Sequence, residues 1–256
     1  MEFTYLNYEN HPRGNRMLQV LLENGFSPEL VIEERSEDAV SGRLEQIELL
    51  GRGADQDEKS AKELCAEHNI PLESVSSHNN DESVALLTAI NLDYIVLGDT
   101  RILTDRVIGT AKKGIVNVHP GFLPQMRGNN PYIWALALHL TQGVTVHFIN
   151  SGVDTGPIIL KRVLDMSDVN TMGGLVSGIN NLCAALLPEA LSVLQENKVR
   201  LEIQNPEEFP TFRKAPKAVV EHCMNLLCSD EPIIRPPQTI DMETLRTATD
   251  GENISV

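Results

Sequence analysis

At 256 residues the chain is long enough for one full α/β domain with a small appendage, and its 41% of hydrophobic residues suffices to bury a core. A formal net charge of -15 argues against a nucleic-acid partner, because a polyanion is repelled over a Debye length, although a few local cations still suit a small anionic substrate. No apolar run of bilayer length is seen and the opening MEFTYLNYEN lacks the basic and apolar regions of a secretory signal, so a cytoplasmic protein without a membrane partner is expected.

In chain order, short β-branched runs alternate with stretches of helical period, the pattern of a parallel sheet flanked by helices. A strand is expected at Phe3–Leu6, then a helix over Arg16–Asn24 that stops at Gly25. A strand at Leu30–Glu33 leads into a polar stretch over residues 34–57, read as a partly ordered loop carrying one short helix around Leu44–Leu50. The pattern continues with a helix at Asp57–His68, a strand at Leu72–Val75, a helix at Glu82–Ile90 behind the capping candidates Asn80 and Asp81, and a strand at Tyr94–Leu97. Thereafter come a helix at Thr104–Ala111, a strand at Ile115–His119, a helix at Pro131–His139, a strand at Val144–Phe148, an extended segment at Pro157–Val163 and a helix at Met172–Gln195. From about Val199 the alternation stops, and a segment rich in Pro, Glu and Lys precedes a helix at Ala218–Leu227 and a polar end, TATDGENISV, of disordered composition. The expected architecture is therefore α/β: a Rossmann-like, mostly parallel sheet flanked by helices over residues 1–198, with a small C-terminal extension over residues 199–256. Cys65, Cys183, Cys223 and Cys228 have neither zinc-ligand nor redox spacing and are read as reduced thiols, mostly packed.

The most informative stretch is GIVNVHPGFLPQMRGNNPYIWAL, residues 114–136. An apolar strand delivers Asn117 and His119 to its C-terminal end, and residues i and i+2 of a strand share a face. Pro120, Gly121, Pro124 and Gly128 then forbid a regular helix, so the chain leaves the strand as a shaped loop, at the edge where parallel sheets bind ligands. Taken alone, an Asn-x-His pair is most often engaged with loop backbone. The second stretch, GVTVHFINSGVDTGPII over residues 143–159, runs from a strand carrying His147 into a loop where Gly152, Gly156 and Pro157 surround Asp154. By itself Asp-Thr-Gly is a turn or an aspartic-protease triplet; it is the pairing with the upstream Asn-x-His-Pro that carries information.

Together, N-x-H-P, L-P-x-x-R-G, T-V-H and D-T-G-P-I in this order resemble the 10-formyltetrahydrofolate-dependent formyltransferase family, most of all its sugar N-formyltransferases, over residues 90–165. The resemblance implies that Asn117, His119 and Asp154 are the catalytic triad. It implies that Arg101, Ile102 and Leu103, in VLGDTRIL, contact the folate whose formyl group is donated, and that Val153 belongs to the loop closing over the pterin. Three features depart from the family pattern: Gly121 stands where serine is common, Asp99 and Thr100 replace apolar or aromatic residues, and NHPRGNRMLQ replaces the glycine-rich phosphate loop of the ribonucleotide enzymes.

Formyl transfer to an amine passes through a tetrahedral carbon bearing an oxyanion, so the site must supply a donor to that oxygen and a path for the amine proton. Asn117 and an N–H-bearing His119 are assigned the first task, and Asp154 raises the basicity of His119 and relays the proton. Arg127, Asn129 and Asn130, on the loop just beyond His119, are the expected acceptor-side residues, and Arg13 and Arg16 at the start of the first helix the expected phosphate contacts. His147 is left open between the cleft and a core histidine, while Tyr132, Ile133 and Trp134 are read as packing. No metal is expected, since His119 and His147 lack a ligand set at zinc spacing. The expected partners are folate and a small-molecule amine, of a nucleotide-linked amino sugar, and a homodimer is allowed. The alternatives are a formyltetrahydrofolate deformylase, a transferase for another small amine such as glycinamide ribonucleotide, or a non-catalytic nucleotide- or folate-binding protein.

Overall fold

The computed structural model describes residues 1–50 and 59–228. The expected first turn of a helix at Asp57 and the polar end TATDGENISV lie outside these residues.

Strand β1 (Phe3–Tyr8) is buried along its whole length, which places it inside the sheet rather than at an edge. On one side it pairs in parallel with β2 (Leu30–Glu34), which pairs with β3 (Leu72–Val75); on the other it pairs in parallel with β4 (Tyr94–Leu97), followed by β5 (Gly114–His119). Beyond β5 the direction reverses, with β7 (Gly143–Phe148) antiparallel to β5 and β8 (Ile158–Val163) antiparallel to β7. The seven strands thus run in the order β3-β2-β1-β4-β5-β7-β8. This is the expected Rossmann-like, mostly parallel sheet. Strand order reverses between β1 and β4, and open α/β sheets bind ligands outside the carboxyl ends of the strands at such a switch point.

Side-chain alternation divides the interior into two layers. Phe3, Tyr5, Val31, Val96, Val116 and Val118 face one helical layer, whereas Leu6, Ile32, Ile95, Leu97 and Ile115 face the other. The first layer holds α1 (Pro12–Glu23), α3 (Ala61–His68) and α7 (Met172–Gln195), the second α4 (Asp81–Ile90) and α5 (Asp105–Ile108). Local chemistry explains the helix ends. Ser60 and Glu63 form a reciprocal capping box on α3, and the side chain of Asn80 accepts from Ser83 N–H at the start of α4.

Helix α1 begins at Pro12 rather than Arg16, α5 covers only part of the expected Thr104–Ala111, and two larger expectations change. Of the polar stretch after β2, residues 37–50 form a full helix, α2 (Glu37–Leu50), instead of a loop with one short helix, and residues 51–57 lie outside the described residues. Ser36 Oγ accepts from Ala39 N–H at 3.1 Å, and Glu37 and Asp38 in the first turn complement the helix dipole. Gln46 Nε2 then donates to Asn180 Oδ1 of α7 at 3.4 Å, so a tertiary contact fixes a helix whose own apolar pattern is weak. The second change is α7, which is long and apolar enough by composition to span a bilayer, contrary to the reading that no such run exists. Thirteen of its residues are buried and it packs on α1 and β7, so it is a core helix of this fold.

The extension packs back onto the body. Strand β9 (Thr211–Phe212) pairs in parallel with β6 (Arg127–Gly128), and α8 (Lys217–Leu227) lies on α6 (Pro131–Ala137) through Val219, Cys223 and Leu227. The Phe212 ring lies tilted against Trp134 at 5.3 Å, and the Trp134 indole Nε1 donates to Arg213 O at 2.8 Å, so Trp134 packs rather than facing a ligand.

Candidate functional site

Asn117 and His119 leave the same face of β5, and the register sets Asn117 directly opposite His147 on β7. The loop between β7 and β8 brings Asp154 over this strand pair, at a backbone φ of +53°. The three residues expected from the sequence therefore meet, and His147 joins them. His147 Nε2 lies 3.6 Å from Asp154 Oδ1, and the His119 and His147 rings meet edge-on at 6.2 Å.

The hydrogen-bond partners determine the tautomers. His147 Nδ1 faces the carbonyl of Phe148 at 2.9 Å, which only accepts, so it carries the proton, and Nε2 accepts from Asn117 Nδ2 at 3.0 Å. His119 Nε2 likewise donates to Met126 O at 2.5 Å, leaving Nδ1 as an acceptor 3.5 Å from Asp154 Oδ2. Burial holds His119 below the ordinary histidine range, against the opposing pull of Asp154. Burial would raise Asp154, but positive charge on His119 and His147 in their protonated forms and the N–H of Gly128, which donates to Oδ2 at 2.8 Å, outweigh it and hold the carboxyl well below the usual carboxylate range. At rest the Asp154 carboxylate is held by Gly128 N–H, and burial favours the neutral ring of His119, whose Nδ1 gains Asp154 as a partner once it is protonated. The N–H that sequence reasoning aimed at an oxyanion is instead committed to Met126 O.

Two details of the loop after β5 support this arrangement. A Cβ on Gly121 would fall 2.7 Å from His119 Nε2 and 2.6 Å from Pro131 Cβ, so a side chain there would displace the imidazole. Thr145, fully buried on β7, donates to Gly121 O at 2.8 Å and accepts from Leu123 N–H at 3.0 Å, fastening the loop to the sheet.

The cluster opens into a cleft of about 400 Å³ at the switch point, within the range of small-molecule sites. Arg101, Ile102, Leu103 and Val153 all line it. Ile102 is 77% exposed at the rim, and Leu103 is buried at its base. Arg101 donates through Nε to both carboxylate oxygens of Glu34 at 3.0 Å, and Asn79 grips its neighbours by donating to Ile102 O at 2.9 Å and accepting from Thr104 N–H at 2.8 Å. Asn129 and Asn130 line the opposite side, where Asn130 accepts from Ala215 N–H at 3.1 Å.

The arginines differ from expectation. Arg127 is 1% exposed and lies outside the cleft lining: its guanidinium donates to the carbonyls of Asn205, Pro206 and Phe209 at 2.9–3.2 Å, so it clasps the extension instead of contacting an acceptor. Arg13 does line the cleft but is paired with Asp99, with His11 Nδ1 3.6 Å from the same carboxylate oxygen. Asp99 thus occupies the place of an anion at the start of α1, where Pro12 also removes an N–H donor. Arg16 does not line the cleft.

A family model described as formyl transferase matches residues 39–191. Among curated relatives, the methionyl-tRNA formyltransferase of Clostridioides difficile (strain 630) is 33% identical over 161 residues, 62% of this chain and 52% of that protein. The corresponding protein of Legionella pneumophila (strain Paris) is 32% identical over 61% of this chain and 51% of its own length. The chain thus spans about half the length of the curated relatives it matches. Among solved structures, the phosphoribosylglycinamide formyltransferase of Bacillus halodurans superposes with a TM-score of 0.58 at 22% identity, over 76% of this chain and 95% of that one. An N-formyltransferase from Helicobacter canadensis, in complex with folinic acid and dTDP-3-aminofucose, also gives 0.58, at 19% identity over 82% of this chain and 70% of that one. At these identities the structural likeness establishes the fold.

Proposed function

Because the chain belongs to the formyl transferase family, we propose that it moves the formyl group of 10-formyltetrahydrofolate onto a primary amine, with Asn117, His119 and Asp154 as its catalytic residues. The observation that carries this reading is the pairing of an acceptor nitrogen, His119 Nδ1, with the Asp154 carboxylate 3.5 Å away, beside the Asn117 amide from the same strand end. Attack of the neutral amine forms the new C–N bond and a tetrahedral oxyanion. Its proton passes to His119 Nδ1, where Asp154 stabilises the imidazolium. Collapse breaks the bond from carbon to N10, which takes the proton, and tetrahydrofolate leaves. One N–H of Asn117 is spent on His147, which orients the amide so that the other serves the oxyanion.

On this reading Arg101, Ile102, Leu103 and Val153 hold the folate, and Asn129 and Asn130 face the acceptor. We assign the acceptor to the amino sugars, nucleotide-linked; the net charge of -15 supports a small molecule over a polyanion. Similarity to methionyl-tRNA formyltransferases favours an aminoacylated tRNA as the second reading. The test is incubation with 10-formyltetrahydrofolate and free amino sugars, nucleotide-linked amino sugars or methionyl-tRNA, with formyl adducts read by mass. An adduct on a nucleotide-linked amino sugar is expected. An adduct on methionyl-tRNA alone transfers the assignment to the second reading, and release of tetrahydrofolate at full rate without an amine makes the protein a deformylase.

A further inference from the structure

Asp154 and Gly156 belong to a loop that the sheet alone does not hold. Asp154 is a non-glycine residue in the left-handed region, at φ +53°, a conformation that persists where the surroundings over-determine it. Within the loop Asn150 Oδ1 accepts from Gly152 N–H and Thr155 Oγ1, and the backbone of Asp154 itself is met by the extension. Gln204, 8% exposed, points its amide at two backbone carbonyls, and Nε2 donates to Asp154 O at 3.0 Å and to Gly156 O at 2.6 Å. Both partners only accept, so the amide nitrogen must face them. Just upstream, Glu202 and Ile158 exchange N–H···O bonds at 2.9 and 3.0 Å, which lays the extension along the start of β8.

The same segment reaches Asp154 a second time through its carboxylate. Arg127 is fastened to the carbonyls of Asn205, Pro206 and Phe209, and Arg127–Gly128 pairs with Thr211–Phe212. Gly128, held at φ +92° with Phe212 O in the space a Cβ would need, then donates its N–H to Asp154 Oδ2. A single stretch, residues 202–212, more than forty positions later in the chain, thus bonds the backbone of Asp154 directly and reaches its carboxylate through Gly128.

We propose that Gln204 is a positioning residue for Asp154, and that the segment 202–212 is a brace which sets the aspartate's carboxylate against Gly128 N–H and His119. The proposal rests on the catalytic role of Asp154 only for its effect on turnover; its geometric content stands apart. Without the Gln204 donor, the carbonyls of Asp154 and Gly156 lose their shared partner, the loop relaxes away from φ +53°, and the Gly128 N–H···Oδ2 contact weakens. An ionised Asp154 then loses part of its stabilisation, so its titration moves up in pH.

The test uses the full chain with Gln204→Leu, which keeps volume without a donor, and Gln204→Glu, whose carboxyl donates one hydrogen bond while protonated and repels the two carbonyls once ionised. Amide exchange at Gly128 and the ¹³C titration of the Asp154 carboxyl are read by NMR without any substrate, and kcat and KM are read alongside. Gln204→Leu is expected to speed Gly128 exchange tenfold or more, to raise the Asp154 titration, and to lower kcat about tenfold. Gln204→Glu is expected to protect Gly128 in acid and to lose that protection as pH rises, which keeps the idea testable if the leucine variant does not fold. Unchanged Gly128 exchange and unchanged Asp154 titration in a folded variant overturn the proposal. Shifted exchange and titration in a protein whose wild type transfers no formyl group leave the brace standing and remove the catalytic reading instead.

Discussion

His119 and Asn117 illustrate how one strand end divides two tasks by hydrogen-bond arithmetic. Each ring nitrogen facing a carbonyl must carry a proton, so Met126 O and Phe148 O decide that His119 presents Nδ1 and His147 presents Nε2 as acceptors. His147 then takes one N–H of Asn117 and leaves the other. Asn117→Ala removes this last donor and is expected to lower kcat a hundredfold to a thousandfold, about 2.7–4 kcal/mol of barrier, with little change in folate affinity. Steady-state kinetics with a direct folate-binding measurement checks it; near wild-type turnover in a folded variant would remove Asn117 from the chemistry.

At the scale of elements, the loop after β5 is held by the neighbouring strand rather than by its own sequence. Thr145 is the fastener, bonding Gly121 O and Leu123 N–H from a fully buried position. Thr145→Val keeps the shape and strands both groups, at about 1–3 kcal/mol each. Denaturant unfolding should show that loss, and kcat should fall more than folate affinity, because Gly121 lies against the His119 ring and not against the folate-side residues. A variant with unchanged stability would show that the loop is held elsewhere. Helix α2 follows the same logic, with the Ser36 cap and the Gln46–Asn180 bond fixing a helix that its polar composition leaves underdetermined.

At the scale of the whole molecule, buried titratable groups pull the response to acid in two directions: burial raises Glu33 to about 7, which favours the folded state as pH falls from about 7 to 4.5, while the buried histidines oppose it. Burial lowers His11 to about 4, against the pull of Asp99, and lowers His78 and His119 as well. A depressed histidine means that the unfolded chain takes the proton first, so the contribution of His11 is full above pH about 6.5, drains as pH falls towards about 4, and levels off below. For His11 alone the shift corresponds to roughly 3 kcal/mol. Between pH 7 and pH 4, His11→Asn should lose less unfolding free energy than the wild type; an identical pH dependence in the two proteins would show that His11 does not contribute to it.

The alternating elements, the limits of Met172–Gln195 and the common face of Asn117 and His119 are legible along the chain, because they follow from periods of 2 and 3.6 residues that near neighbours impose. What depends on distant partners is not. Arg127 reads as an acceptor contact, but carbonyls about eighty residues away take its guanidinium, and Arg13 reads as free, but Asp99 meets it across the switch point. His147 entered the cluster through a cross-strand register, and the two-residue strands β6 and β9 carry no periodicity to read. Gln204 has no local signal at all: a lone polar residue in an irregular segment gains its role only when folding presents Asp154 O and Gly156 O to its amide.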